Sequence, residues 1–251
     1  MVRVTVIGGP TALIEYAGLR WLTDPTFSPP GEYDGLVKTT APALAPGAIE
    51  PVDVVLLSHD HHADNLDPAG REFLPGAGRV LSTVAGAERL GDGNVTGLEP
   101  WSSCTVSGSA GEVTVTAVPA LHGPPGAEPV TGPVIGFVLA REGDDTVYVA
   151  GDNASVDVVA SIGERLGPID VAVLFVGAVQ IPHRFDGAYL TLSGERAAIA
   201  AQTLGVRAVV PVHYEGWTHF TQGLDEVRSA FMGYGISDRL VAAEPGETVS
   251  A

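Results

Sequence analysis

The chain has 251 residues, 45% of them apolar and 17% charged, which excludes disordered, collagenous and coiled-coil classes. Thirty acidic against thirteen basic residues give a formal charge of −17, and Lys38 is the single lysine. The basic footprint that nucleic acids and anionic membranes draw on is therefore missing. The longest apolar run, Val171 to Val179, is nine residues, about half of a membrane span. The opening MVRVTVIGGP carries neither the apolar region nor the cleavage site of a secretory signal, and one cysteine, Cys104, forbids an internal disulfide. We expect one domain over residues 1–251, cytoplasmic, with no nucleic-acid partner and no membrane insertion; a homo-oligomer is left open.

The predicted elements begin with strands at 2–7, 11–16 and 19–24, separated by turn signals at Gly8-Gly9-Pro10 and Ala17-Gly18. A Pro/Gly-rich loop runs from Pro25 to about Pro51, and 53–58 (DVVLLS) reads as a buried strand. Asp67 is placed to cap a helix that starts at Pro68 and runs through Leu74, and a second short helix is predicted from Val84 to Leu90. Strands return at 112–118, 133–140 and 146–151, followed by a helix from Val156 to Leu166 and a buried strand at 169–176. An Ala-rich helix from Glu195 to Leu204 leads into a strand at 207–212, and Leu224 to Met232 forms the last helix. Strands mixed with helices in both halves suggest two sheets with helices outside; the alternation is too irregular for a doubly wound fold.

Chemistry concentrates in the histidines. Three of the seven fall in SHDHHADNLD (58–67), directly after the buried strand 53–58. If this segment is extended, alternation sends His59 and His61 to one side, as two ligands of one ion require. His122 follows the strand 112–118, Asp152 follows 146–151, and His213 follows 207–212. Each alone is as readily a hydrogen-bonded histidine or a turn aspartate. Four strand ends that carry His or Asp describe one site along one edge. Imidazole nitrogens with carboxylates suit zinc, manganese or iron. HYEGWTHF (213–220) adds Trp217 and His219, and IPHRFDG (181–187) adds His183 and Arg184, as candidate substrate contacts. Arg184 is the candidate for an anionic group, since a guanidinium can clasp carboxylate or phosphate.

These residues resemble the signature of metallo-β-lactamase-fold hydrolases: H-x-H-x-D-H after a buried strand, then a later His, a bridging Asp and a final His. The order His59-x-His61, Asp64, His122, Asp152, His213 is the same, and ALIEYAGLRWLTDP (12–25) looks like the opening of one branch. That branch holds ascorbate-6-phosphate lactonase and the N-acylphosphatidylethanolamine-type phospholipase D enzymes. The resemblance implies an α+β fold, a four-layer αββα sandwich of two similar halves. It implies His59, His61 and His122 around a first metal, and Asp64, position 65 and His213 around a second, bridged by Asp152. Position 65 is Asn, and two residues separate His61 from Asp64 where the pattern has one. A second register aligns His62-x-Asp64-Asn65 with H-x-D-H, so His62 and Asn65 stand as alternative ligands.

The implied cofactors are one or two divalent ions, zinc first, manganese or iron otherwise. The implied activity is hydrolysis of a small ester, lactone or phosphodiester by metal-activated water, with Asp64 orienting that water and carrying its proton. Two other readings compete: a mononuclear iron oxygenase of the same fold, resembling persulfide dioxygenases, and a non-catalytic, metal-stabilised binding protein.

Overall fold

The computed structural model describes residues 1–251 apart from Asp92, Pro182 and His183. Three antiparallel strands open the chain: β1 (Arg3–Gly8), β2 (Thr11–Tyr16) and β3 (Leu19–Thr23). A small hairpin of β4 (Gly31–Tyr33) and β5 (Leu36–Lys38) and the single-turn α1 (Pro46–Ile49) lie within the long stretch expected as loop. Neither has an apolar run to announce it. Asp34 and Gly35, at φ of 49° and 81°, form the hairpin tip in the left-handed backbone that tight turns use.

The chain then adds β6 (Val54–Leu56), α2 (Pro68–Phe73), β7 (Arg79–Thr83), α3 (Val84–Leu90) and β8 (Val95–Leu98), with β6, β7 and β8 parallel to β3. Parallel neighbours need crossovers, which α2 and α3 supply. As expected, Asp67 caps α2 through Gly70 N–H at 2.8 Å, with Pro68 in the first turn. Thr83 caps α3 in the same way.

The second half repeats the plan. Antiparallel β9 (Ser103–Gly108), β10 (Gly111–Pro119), β11 (Ile135–Ala140) and β12 (Val147–Val149) are followed by parallel β13 (Val171–Phe175) and β14 (Ala208–Val212). Between β10 and β11 sits α4 (Glu128–Thr131); α5 (Val156–Leu166) and α6 (Gly194–Leu204) make the crossovers. Helix α7 (Leu224–Gly233) packs on α6, and β15 (Thr248–Ser250) returns to pair with β1. The result is a seven-stranded sheet, β15-β1-β2-β3-β6-β7-β8, facing a six-stranded sheet, β14-β13-β12-β11-β10-β9. This is the expected α+β sandwich, with helices outside both sheets.

Strand alternation explains the layers. Val54 and Leu56 point into the core between the sheets with Trp21, Phe137 and Val173, while Val55 and Leu57 pack outward with Phe73 and Leu74. A strand covered on both faces reads as a continuous apolar run, which is what 53–58 shows. The C-terminal ends of β3, β6, β10, β12 and β14 deliver Asp24, His59, His122, Asp152 and His213 to the site. Among the described residues no helix is long and apolar enough to cross a membrane.

Candidate metal centre

Two clusters share one carboxylate. The ligand atoms of His59, His62, His122 and Asp152 lie within 4.8 Å of one another, and so do those of Asp64, Asp152 and His213. Asp152 Oδ2 stands 3.6 Å from His122 Nε2, and its Oδ1 stands 3.7 Å from His213 Nε2. Each carboxylate oxygen thus faces one cluster.

The imidazoles are oriented by hydrogen bonds on their far sides. His122 donates Nδ1–H to the Leu190 carbonyl at 2.8 Å, which leaves the Nε2 lone pair toward Asp152. Ser58 Oγ gives its proton to Asp24 Oδ2 at 2.7 Å, so its oxygen accepts from His59 Nδ1–H at 2.9 Å. That relay frees His59 Nε2, which lies 2.9 Å from His62 Nδ1. Burial, reinforced by the neighbouring imidazoles, holds His59 far below its ordinary range. Burial likewise takes His62 down to about 4. Both rings are neutral at pH 7, the form that binds a metal.

The second cluster has the opposite character. Burial alone would lower His213, but the carboxylates of Asp152 and Asp64 outweigh it and raise its pKa. Burial would raise Asp64, yet the imidazoles of His213 and His219 beside it hold it well below the carboxylate range. Asp64 Oδ2 is 2.8 Å from His219 Nε2 and 3.3 Å from His213 Nε2. His213 has a φ of 59°, a left-handed backbone that costs a non-glycine residue energy.

The residues fit a divalent ion. Asp152 Oδ2 and His213 Nε2 are buried without a hydrogen-bond partner, a cost that metal ligation would remove. The nitrogen and carboxylate donors suit zinc, manganese or iron.

Two of the expected ligands sit differently from the sequence pattern. His61, expected as a ligand, joins neither cluster: its Nε2 lies 2.6 Å from the Thr131 carbonyl oxygen, and His62 stands in its place. The segment after β6 is a turn and not an extended strand, with the amides of Asn65 and Leu66 both bonded to the His62 carbonyl. The chain also bends at 60–62, and His59 Nε2 lies 2.9 Å from His62 Nδ1, so His59 pairs with His62. Asn65 spends its amide nitrogen on two carboxylates, Asp24 Oδ2 at 3.0 Å and Asp152 Oδ1 at 3.2 Å. The amide nitrogen so engaged positions Asp152, while Oδ1, the atom that would ligate an ion, is buried without a hydrogen-bond partner.

The expected substrate contacts scatter. His219 is at the site, against Asp64. Trp217 is 4% exposed and packs between the Tyr33 ring and the Lys38 ammonium, a brace for the β4–β5 hairpin. Arg184 is exposed, and His183 lies outside the described residues.

Three supporting residues escaped the sequence reading. Asp24 accepts from both the backbone and the hydroxyl of Ser58, and burial pushes it up to about 7. Its place at the end of a strand is the same signal that marked His59 and Asp152. Asp60, between two histidines, is clasped by Arg89 at 2.5 and 3.0 Å. Nothing in the sequence links those two, because they meet only through the β7–α3 turn.

Comparison with known proteins gives the family and the fold. A family model described as "Beta-lactamase superfamily domain" matches residues 20–214. The chain belongs to the beta-lactamase superfamily. A UPF0173 metal-dependent hydrolase of Methanosphaerula palustris is 32% identical over 184 residues, 71% of this chain and 75% of that one. One from Caldivirga maquilingensis is 28% identical over 241 residues, 94% of this chain and 92% of its own. The crystal structure of an isothiocyanate hydrolase from Delia radicum gut bacteria has the same fold, with a TM-score of 0.85 at 21% identity over 99% of this chain and 98% of that one. As a superfamily member with this donor set, the chain is a metal-dependent hydrolase.

Proposed function

We propose that this chain hydrolyses a small ester or lactone, in the manner of the lactonase-like branch, with two ions of zinc or manganese bound along the sheet edge. The observation that carries the reading is the division of Asp152, one oxygen toward each cluster. His59, His62 and His122 would hold the first ion, Asp64 and His213 the second, and Asp152 both. Bound there, the ions would lower the pKa of water from roughly 15.7 to about 7 and polarise the acyl oxygen.

The chain's own groups do the rest. Asp64, kept ionised by its histidine neighbours, accepts a hydrogen bond from the attacking water and orients it. His219 fixes Asp64 from behind. Water adds to the acyl carbon, the C–O bond breaks, the acid keeps the hydroxyl and the alcohol leaves with the proton. The whole chain would act as one domain in the cytoplasm.

Elemental analysis of protein purified without added metal or chelator tests this reading. The expected result is close to two equivalents of zinc or manganese per chain, with ester or lactone turnover that chelation abolishes and metal restores. One equivalent of iron, with oxygen consumed in the presence of a thiol, would replace it with the oxygenase reading. Protein that takes up no metal on titration would sink both enzyme readings.

A further inference from the structure

Beside the metal centre, on the same sheet edge, lies a cavity of about 490 Å³. It opens between the C-terminal ends of β7, β8 and β10, and His122 forms part of its wall. Thr131 and Gly132 form another part, and they abut His61, whose ring lies beside those of His59 and His62. The Thr131 carbonyl bonds His61, and a Cβ on Gly132 would lie 2.3 Å from the same ring. A substrate group seated in the cavity is therefore next to the ligand His122.

The lining is apolar: Val84, Leu98, Leu121, Val134 and Ile135. Its charged members are Glu88, Glu99 and Glu128, all exposed, and none of the described residues that line it is Lys or Arg. A volume in the range of small-molecule sites, apolar walls and a purely acidic mouth select by hydrophobic burial and charge. Resting on the hydrolase reading, we infer that this cavity is the specificity pocket, and that it takes the apolar acyl or alkyl part of a substrate bearing no negative charge. A phosphodiester or an acidic acyl group seated in the cavity would meet three carboxylates, with no Lys or Arg among the described lining to offset them. Arg184, the residue expected to clasp an anion, is not among the lining.

The test uses metal-loaded protein and p-nitrophenyl esters from acetate to hexanoate. We expect kcat/KM to rise at least tenfold along the series, and Ala85→Phe, which places a ring in the cavity, to reduce the hexanoate-to-acetate ratio at least tenfold with metal content unchanged. A folded, metal-loaded variant with the wild-type ratio would overturn the assignment. Charge is read separately by calorimetry with hexyltrimethylammonium, which has no lone pair for a metal, and hexyl sulfate. Wild type should bind the cation at least tenfold more tightly, and the triple variant Glu88→Gln, Glu99→Gln, Glu128→Gln should bring the two within about threefold. Tighter binding of the sulfate, or no binding of either, would sink the pocket even if esters are cleaved. Binding without turnover of any ester would instead fault the hydrolase reading and leave the pocket standing.

Discussion

Asn65 Nδ2 lies 3.2 Å from Asp152 Oδ1, the oxygen that faces His213, and the same nitrogen donates to Asp24 at 3.0 Å. One amide thus joins two buried carboxylates and sets the rotation of the one shared by both clusters. Asn65→Ala removes both bonds and leaves acceptors without partners in the interior. The expected loss of stability is about 1–3 kcal/mol, read from urea denaturation. Metal affinity should fall roughly 10–100-fold by competition with a chromogenic chelator, since outer hydrogen bonds to ligands carry such factors. Unchanged affinity would mean that Asp152 is fixed without Asn65.

Acid should destabilise the metal-free protein through His62 and His59. His59 is buried and His62 half-buried, and both are neutral, with His62 at about 4 against an ordinary 6.5. A histidine whose folded pKa is depressed contributes stability that is complete above 6.5 and lost as pH falls through that value toward the folded one, because the unfolded chain takes the proton first. Asp24, raised to about 7, works the other way: its contribution is full below the ordinary carboxylate value and fades as pH rises toward 7. Two histidines outweigh one aspartate, so stability should drop from pH 6.5 to 4. His62→Gln should flatten that drop, and the check is a set of urea midpoints across the range. An identical slope in the variant would show that His62 is not neutral in the folded state.

The strand-end pattern was legible because it is local. A β-branched run bounded by turn residues marks a buried strand, and His59, His122, Asp152 and His213 each follow one, so their arrival on one edge could be read without coordinates. The choice between His61 and His62 could not. It depends on whether residues 59–62 are extended or bent, and the chain bends there, ahead of the turn that the amides of Asn65 and Leu66 close on the His62 carbonyl. The use of Asn65 was hidden for a similar reason, since its acceptors are 41 and 87 residues away in sequence. The β4–β5 hairpin was invisible because three-residue, half-buried strands leave no periodicity to detect.

Arg89 holds Asp60 from the outside, with its own side chain 46% exposed and that of Asp60 2% exposed. The pair fixes the turn that carries His59 and His62, together with the bond from Arg71 to the Asp60 carbonyl at 3.1 Å. Arg89→Ala leaves a buried carboxylate with its main partner gone, which should cost about 1–3 kcal/mol. Asp60→Asn combined with Arg89→Ala should recover part of that loss, because the charge goes with its partner. A double variant no more stable than Arg89→Ala would place the effect in lost packing of the arginine stem and not in the ion pair.

Gly177 bears on His213 through the backbone. A Cβ at position 177 would come within 2.2 Å of the His213 carbonyl oxygen, a group that cannot swing aside as a side-chain tip could. His213 is already in left-handed backbone, and its amide is committed to the Gly9 carbonyl at 2.7 Å. Gly177→Ala must therefore displace the residue that faces both Asp64 and Asp152, while His59, His62 and His122, carried by other strands, keep their places. If the two-ion reading holds for wild type, the variant should bind one ion, measured by elemental analysis after dialysis, with hydrolysis reduced at least tenfold. The overlap should also cost about 1–3 kcal/mol of stability. Two retained ions with full activity would show that the two clusters do not depend on where the backbone holds His213.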